Sequence, residues 1–229
     1  MPSTSAGHPF VERLARERLI AILRAPDADR FVAVASALYD AGWRGIEVTL
    51  TTNGALEAIG ALREALPEDA WVGAGTVMSS AEVQAVHAAG AQFAVSPVLD
   101  DGSVAAAGRL GLPFVPGALT PTEIVAAWRA GCPAVKVSPV VSVGGPAYLA
   151  QVGAFLPGIP LLPTGGVRPG DIPAYLQAGA LGVGLGGPLL GDALTPGGDL
   201  AALTRRAADV VAALAPAVAP AAAPAGAAP

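Results

Sequence analysis

Apolar positions along the chain follow two alternating rhythms. Short runs of β-branched or small apolar residues alternate with longer stretches in which apolar positions return every third or fourth residue. The short runs are LIAILRA (19–25), GIEVTLT (45–51), WVGAGTV (71–77), QFAVSPV (92–98), PFVPGAL (113–119), AVKVSPV (134–140), IPLLPTGGV (159–167) and LGVGLGGPLL (181–190), and they predict strands. The longer stretches, such as DRFVAVASALYDA, GALEAIGALREAL, SAEVQAVHAA and PTEIVAAWRA, predict helices, and DLAALTRRAADVVAALA predicts a last one with Arg205 and Arg206 on its polar side. Closers such as YDAGW, HAAGA, WRAGC and LQAGA place glycine just past helix ends, the usual C-terminal stop. Eight such strand–helix units predict an α/β fold, a single (β/α)8 TIM barrel over residues 1–214. An open doubly wound sheet also takes eight strands, but no GxGxxG follows the first strand, which favours the barrel. The remaining stretch 215–229, APAVAPAAAPAGAAP, carries proline at a density that prevents a helix and has nothing to bury, so it is expected to be a disordered tail.

Composition narrows the field. Residues are 53% apolar, enough for a substantial core, and a net charge of −5 without a lysine-rich patch argues against a nucleic-acid surface. The single cysteine, Cys132, excludes an internal disulfide framework and fits a reducing cytoplasm; following RAG and preceding a strand, it reads as a packing residue. The N-terminal stretch has no apolar signal-peptide core, and no apolar run is long enough to span a membrane. His8, in a floppy N-terminal segment, and His87, on a helix, lack the spacing of metal ligands. No metal and no cofactor are therefore expected.

In such barrels chemistry gathers at the C-terminal ends of the strands. The candidates there are Arg24 on strand 1; Glu47, Thr49 and Thr51 on strand 2; Thr76 on strand 3; Ser96 and Pro97 on strand 4; and Gly117 and Thr120 on strand 5. Strand 6 offers Lys136 and Ser138, strand 7 Thr164, Gly165 and Gly166, and strand 8 Gly186 and Gly187. Lys136 is the only lysine, all twelve other basic residues being arginine. An amine that must lose its proton and attack a carbonyl cannot be arginine, whose guanidinium stays charged. Glu47 is the only acid inside a predicted strand. Side-chain alternation turns Ile46, Val48 and Leu50 one way and Glu47, Thr49 and Thr51 the other, into the barrel. Lys136 shares a face with Ala134 and Ser138, so both charged groups can enter one cavity.

An interior lysine beside a carboxylate suggests imine chemistry, with Glu47 moving the protons. Desolvation favours the neutral amine, and a nearby cation such as Arg24 favours it further. A structural Lys–Glu ion pair is the plainer alternative. The glycine pairs after strands 7 and 8 suit phosphate binding through backbone N–H groups, or serve simply as tight turns.

The motifs GIEVTL, VGAGTV, GAQFAVSP, PFVPGALTPTE, VKVSP and LLPTGGV, in this order, resemble the 2-keto-3-deoxy-6-phosphogluconate / 4-hydroxy-2-oxoglutarate aldolase family. LIAILRA looks more like the relatives acting on 2-keto-3-deoxy-6-phosphogalactonate. The resemblance implies a class I, pyruvate-forming aldolase on a (β/α)8 barrel, usually a homotrimer. Its Schiff-base lysine falls on Lys136, with Pro139 completing the K-x-x-P motif, and its acid/base glutamate on Glu47. Thr76 and Thr164 fall where threonines lie near the pyruvyl group. Three positions differ from the family pattern. Thr51 stands where many members have a carboxylate-binding arginine, which leaves Arg24 as the nearest substitute. Val137 and Ser138 replace two aromatics after the lysine. Pro188 follows Gly186-Gly187 where serine is common, removing a hydroxyl and an N–H from the expected phosphate loop. Two other classes stay open: a barrel that binds a keto acid or sugar phosphate without turning it over, and a metal-independent phosphate-barrel isomerase or synthase.

Overall fold

The structure, a computed structural model, describes residues 7–214; the expected tail 215–229 lies outside them. Nine short parallel strands build the centre: β1 (Leu19–Leu23), β2 (Gly45–Thr49), β3 (Trp71–Gly75), β4 (Ala94–Val95), β5 (Phe114–Val115), β6 (Gly117–Ala118), β7 (Val135–Val137), β8 (Leu161–Pro163) and β9 (Val183–Leu185). They form a six-stranded sheet in the order β5-β4-β3-β2-β1-β9 and a three-stranded one in the order β6-β7-β8. At one seam β5 and β6 are a single stave interrupted at Pro116, whose carbonyl still accepts from Lys136 N at 2.9 Å. At the other, Thr164 bridges Gly184 and Leu181 N donates to Leu161 O at 2.9 Å, joining β8 to β9. The staves thus curl into the expected barrel, each of the eight predicted strands appearing in shortened form.

Around it lie α2 (Phe31–Asp40), α3 (Ala55–Ala65), α4 (Ser80–Ala88), α5 (Asp101–Leu110), α6 (Pro121–Arg129), α7 (Gly145–Phe155), α8 (Ile172–Gln177), the four-residue α9 (Gly187–Leu190) and α10 (Leu200–Leu214). Alternation sorts the core into two layers. Leu19, Ala21, Leu23, Ile46, Val48, Val72 and Val183 pack outward on helix residues such as Phe31, Leu38, Ile59 and Leu62. Ile20, Ile22, Trp71, Phe93, Val95, Val115, Ala134 and Leu162 fill the interior. Large interior side chains fit because their neighbours are glycine: a Cβ on Gly73 would overlap the Phe93 ring, and one on Gly45 would meet Trp71 at 3.0 Å.

Two expectations need correction. The segment that carries His8 is not floppy from that residue on. Pro9–Glu17 form helix α1, which His8 caps by accepting from Phe10 N through Nδ1 at 3.2 Å. Proline suits the first helical position, and Phe10 and Leu14, one turn apart, are buried beneath the barrel against Trp71 and Phe93. Burying each of those two side chains stabilises the fold by about 1.5–3 kcal/mol. Second, Arg206 does not simply join the polar face of α10. It is half-buried and bonded to backbone, whereas Arg205 is exposed. Among the described residues no helix is long and apolar enough to cross a membrane.

Candidate active site

The strand register decides what reaches the C-terminal mouth. Ala134, just before β7, belongs to the apolar interior and Lys136, two residues on, lies above it; Leu162 on β8 and Thr164 just past its end repeat the step. Lys136 and Thr164 line a cleft of about 690 Å³ together with Ile22, Ser138, Gly165, Gly166, Gly186 and Gly187. Lys136 is 7% exposed, takes part in neither of the two ion pairs found among the described residues, and has a buried apolar neighbour on each side, Val135 and Val137. A cationic amine held this way lacks the partner that would stabilise it in a purely structural role.

Glu47 is 2% exposed. It points inward from β2 over Gly75, where any Cβ would overlap its carboxyl group. Its Oε1 is buried without a hydrogen-bond partner, an arrangement that costs free energy unless something fills the vacancy. Lys136 and Glu47 are therefore not an ion pair, contrary to the plainer sequence alternative.

Arg24 follows β1, is exposed at the mouth and donates to Thr76 Oγ1 at 3.3 Å. Thr76 has φ 62°, a left-handed conformation that is strained for a β-branched residue and collects at functional sites. The loop carrying Arg24 is stitched to the loop after β2: Asn53 N donates to Pro26 O at 3.0 Å and Asn53 Nδ2 to Asp27 Oδ1 at 3.1 Å. Gly165 and Gly166 turn with φ of 91° and 81°. At Gly165 a Cβ would meet Pro139 Cα at 3.0 Å, so a larger residue would push the turn off its neighbour.

Not every predicted residue arrives. Strand β2 stops at Thr49, so Thr51 leaves the alternation; it is exposed, donates to Thr49 Oγ1 at 3.2 Å and does not line the cleft. Pro97 is exposed and lies outside the cleft lining, its backbone packed where a Cβ on Gly117 would overlap it. Glu47 and Thr76 also stand behind the lining rather than in it. Conversely, Asp27, Asp29, Arg30, Leu194, Thr195 and Pro196 line the cleft and were not singled out. For the first three a signal existed: the loop after strand 1, APDADR, is charged and follows the C-terminal end of a strand. The stretch before α10 offered only turn composition. Cys132 is buried, and burial pushes its thiol up to about 12, as a packing residue requires. No group of three or more metal-ligating side chains occurs among the described residues.

Comparison with known proteins agrees with this geometry. The family model described as KDPG and KHG aldolase matches residues 10–206. The chain is 36% identical over 172 residues to a 2-dehydro-3-deoxy-6-phosphogalactonate aldolase of Escherichia coli (75% of this chain, 83% of the relative). It is 32% identical over 197 residues to a 2-dehydro-3-deoxy-phosphogluconate aldolase of Pseudoalteromonas atlantica (86% and 91%). Among solved structures it resembles the KDPG aldolase of Legionella pneumophila with pyruvate captured as a covalent carbinolamine intermediate (TM-score 0.78, 25% identity, covering 87% of this chain and 97% of that one).

Proposed function

The chain belongs to the KDPG and KHG aldolase family, and from that premise we propose that it is a class I aldolase in which Lys136 forms the Schiff base and Glu47 moves the protons. The reaction is reversible cleavage of a 2-keto-3-deoxy-6-phospho sugar acid, or of 4-hydroxy-2-oxoglutarate, to pyruvate and an aldehyde. The aldehyde is glyceraldehyde 3-phosphate from the sugar acid and glyoxylate from the shorter acid. The observation that carries this reading is the lone lysine, buried and unpaired in the lining of the cleft, with the carboxylate of Glu47 on another stave, its Oε1 buried and unpartnered.

The neutral Lys136 amine adds to the C2 ketone, and the carbinolamine loses water to give a protonated imine. Glu47 takes the proton of the C4 hydroxyl, directly or through one water. The C3–C4 bond breaks, its electron pair flows into the imine to form an enamine, and the aldehyde leaves. Protonation at C3 gives the pyruvate imine, and water releases pyruvate and restores the amine. Arg24 clamps the substrate carboxylate, helped by Thr76, while Thr164 and Ser138 flank the pyruvyl group. The glycine turns 165–166 and 186–187 offer backbone N–H groups to the distal end. A cleft of about 690 Å³ is of the size that encloses a small ligand. Pro188 on the lining removes one N–H there, and Asp27 and Asp29 add negative charge; together these favour a substrate with less charge at its distal end. No cofactor is needed. A homotrimer and a cytoplasmic location complete the proposal, the first from the family resemblance and the second from the single buried cysteine.

The test is pyruvate with borohydride, read by intact mass and peptide mapping. One reduced pyruvyl adduct on Lys136 is expected in the natural chain. Lys136→Arg keeps the charge and should give none, with turnover lowered by about a thousandfold or more. An active Lys136→Arg variant would sink the proposal.

A further inference from the structure

We infer that Arg206 is a positioning residue for substrate selection, holding from behind the cleft wall that the distal half of the substrate meets. The inference rests on the aldolase reading above. That wall, residues 186–198, contains five glycines and two prolines and only one regular element, the four-residue α9. Its own backbone bonds are local turns, such as Thr195 N to Asp192 O at 2.8 Å and Gly198 N to Thr195 O at 3.0 Å. Glycine-rich turns of this kind lose much conformational freedom when ordered and do not hold one shape unaided.

Two guanidinium groups supply the restraint. From α10, Arg206 donates through Nε to Leu189 O and through Nη2 to Leu190 O, both at 2.9 Å. From the N-terminus of α2, Arg30 donates through Nε to Ala193 O at 2.9 Å and through Nη2 to Gly198 O at 2.8 Å. Neither has a carboxylate partner among the described residues, so their forks are committed to backbone. The four carbonyls, of Leu189, Leu190, Ala193 and Gly198, bracket the cleft-lining residues Gly191, Leu194 and Thr195, and Leu190 both accepts from Arg206 and lines the cleft. Gly191 makes room for the brace, since a Cβ there would stand 2.7 Å from Arg206 Nη2. The pyruvyl end of the cleft, by contrast, is built on paired strands through Lys136 and Thr164. Loosening the wall should therefore blur recognition of the distal half and spare imine formation.

The experiment compares Arg206→Gln and Arg206→Lys with the natural chain. KM for a six-carbon 2-keto-3-deoxy acid should rise about tenfold in Arg206→Gln, while KM for 4-hydroxy-2-oxoglutarate and the rate of pyruvate trapping at Lys136 stay within about twofold. Arg206→Lys keeps the charge but not the two-pronged fork, and should restore discrimination only in part. Arg206→Lys also serves if Arg206→Gln does not fold, whereas Arg30, which lines the cleft itself, is left in place. Equal losses on both substrates and in trapping, or an unchanged ratio, would overturn the inference. Absence of any pyruvate adduct in the natural chain would overturn the aldolase reading and the inference together, which separates the two failures.

Discussion

The two ends of the barrel interior are built by the same strands and do opposite things. At the N-terminal end the inward positions are Trp71, Phe93, Ala134 and Leu162, sealed from below by Phe10 and Leu14 of α1. Two residues on from Ala134 and Leu162 the inward positions become Lys136 and Thr164, and on β3, four residues on from Trp71, the inward position is Gly75 with Glu47 standing over it. A step of two residues is about 6.6 Å along a strand, so the apolar layer of Ala134 and Leu162 and the unpaired amine of Lys136 are adjacent layers of side chains. The lower layer excludes water and fixes the staves. The upper layer carries polar groups whose requirements the protein leaves unmet: a buried Oε1 without a donor, an amine without a counter-ion, a threonine in a left-handed conformation. The lower layer leaves one polar atom unmet as well, Trp71 Nε1, but it carries no charged group, so the proposed chemistry falls to the upper layer.

Substitutions at the two ends should therefore separate activity from stability. The largest expected effect is at the upper layer. Glu47→Gln is nearly isosteric and should lower kcat by about a hundredfold or more while leaving the melting temperature unchanged or raised, because it removes a buried charge. Steady-state kinetics beside a thermal melt checks this, and a Glu47→Gln variant that melts much lower with kcat intact would reverse the comparison. At the lower layer, Leu14→Ala should cost about 2–5 kcal/mol of stability in a denaturant titration, with KM and the trapping rate near those of the natural chain. A rise in KM matching the loss of stability would show that the plug and the site are not independent. The smallest effect is expected at Cys132, on the outer core. With its thiol pushed up to about 12, it stays protonated at pH 8 and should react with a thiol reagent only after unfolding; rapid modification of the native protein would contradict the packing role.

Much of this division could be read directly. The eight strand runs, the inward set on β2 and β7, and the identities of Lys136 and Glu47 follow from alternation and from a single lysine in a chain of arginines. Where the reading failed, a local pattern had been carried past its physical limit. The GIEVTLT run suggested that Thr51 continues the inward face, but β2 ends at Thr49, where the chain turns and Thr52 N donates to Thr49 O at 3.1 Å. His8 was expected in a floppy segment, yet Phe10 and Leu14, one turn apart beside a proline, were already a helix signal with an apolar face to bury.

The sequence by itself determined the staves, their inward and outward faces and the candidate pair Lys136 and Glu47, because alternation along a strand is a property of neighbouring residues. Only the tertiary structure decided what surrounds that pair. It set Glu47 over Gly75, closed the lower end with α1, and shaped the distal wall through Arg30, whose acceptor Ala193 is 163 residues away. Those contacts depend on how the closed barrel brings distant loops together, and no periodicity within a segment encodes the distance between them.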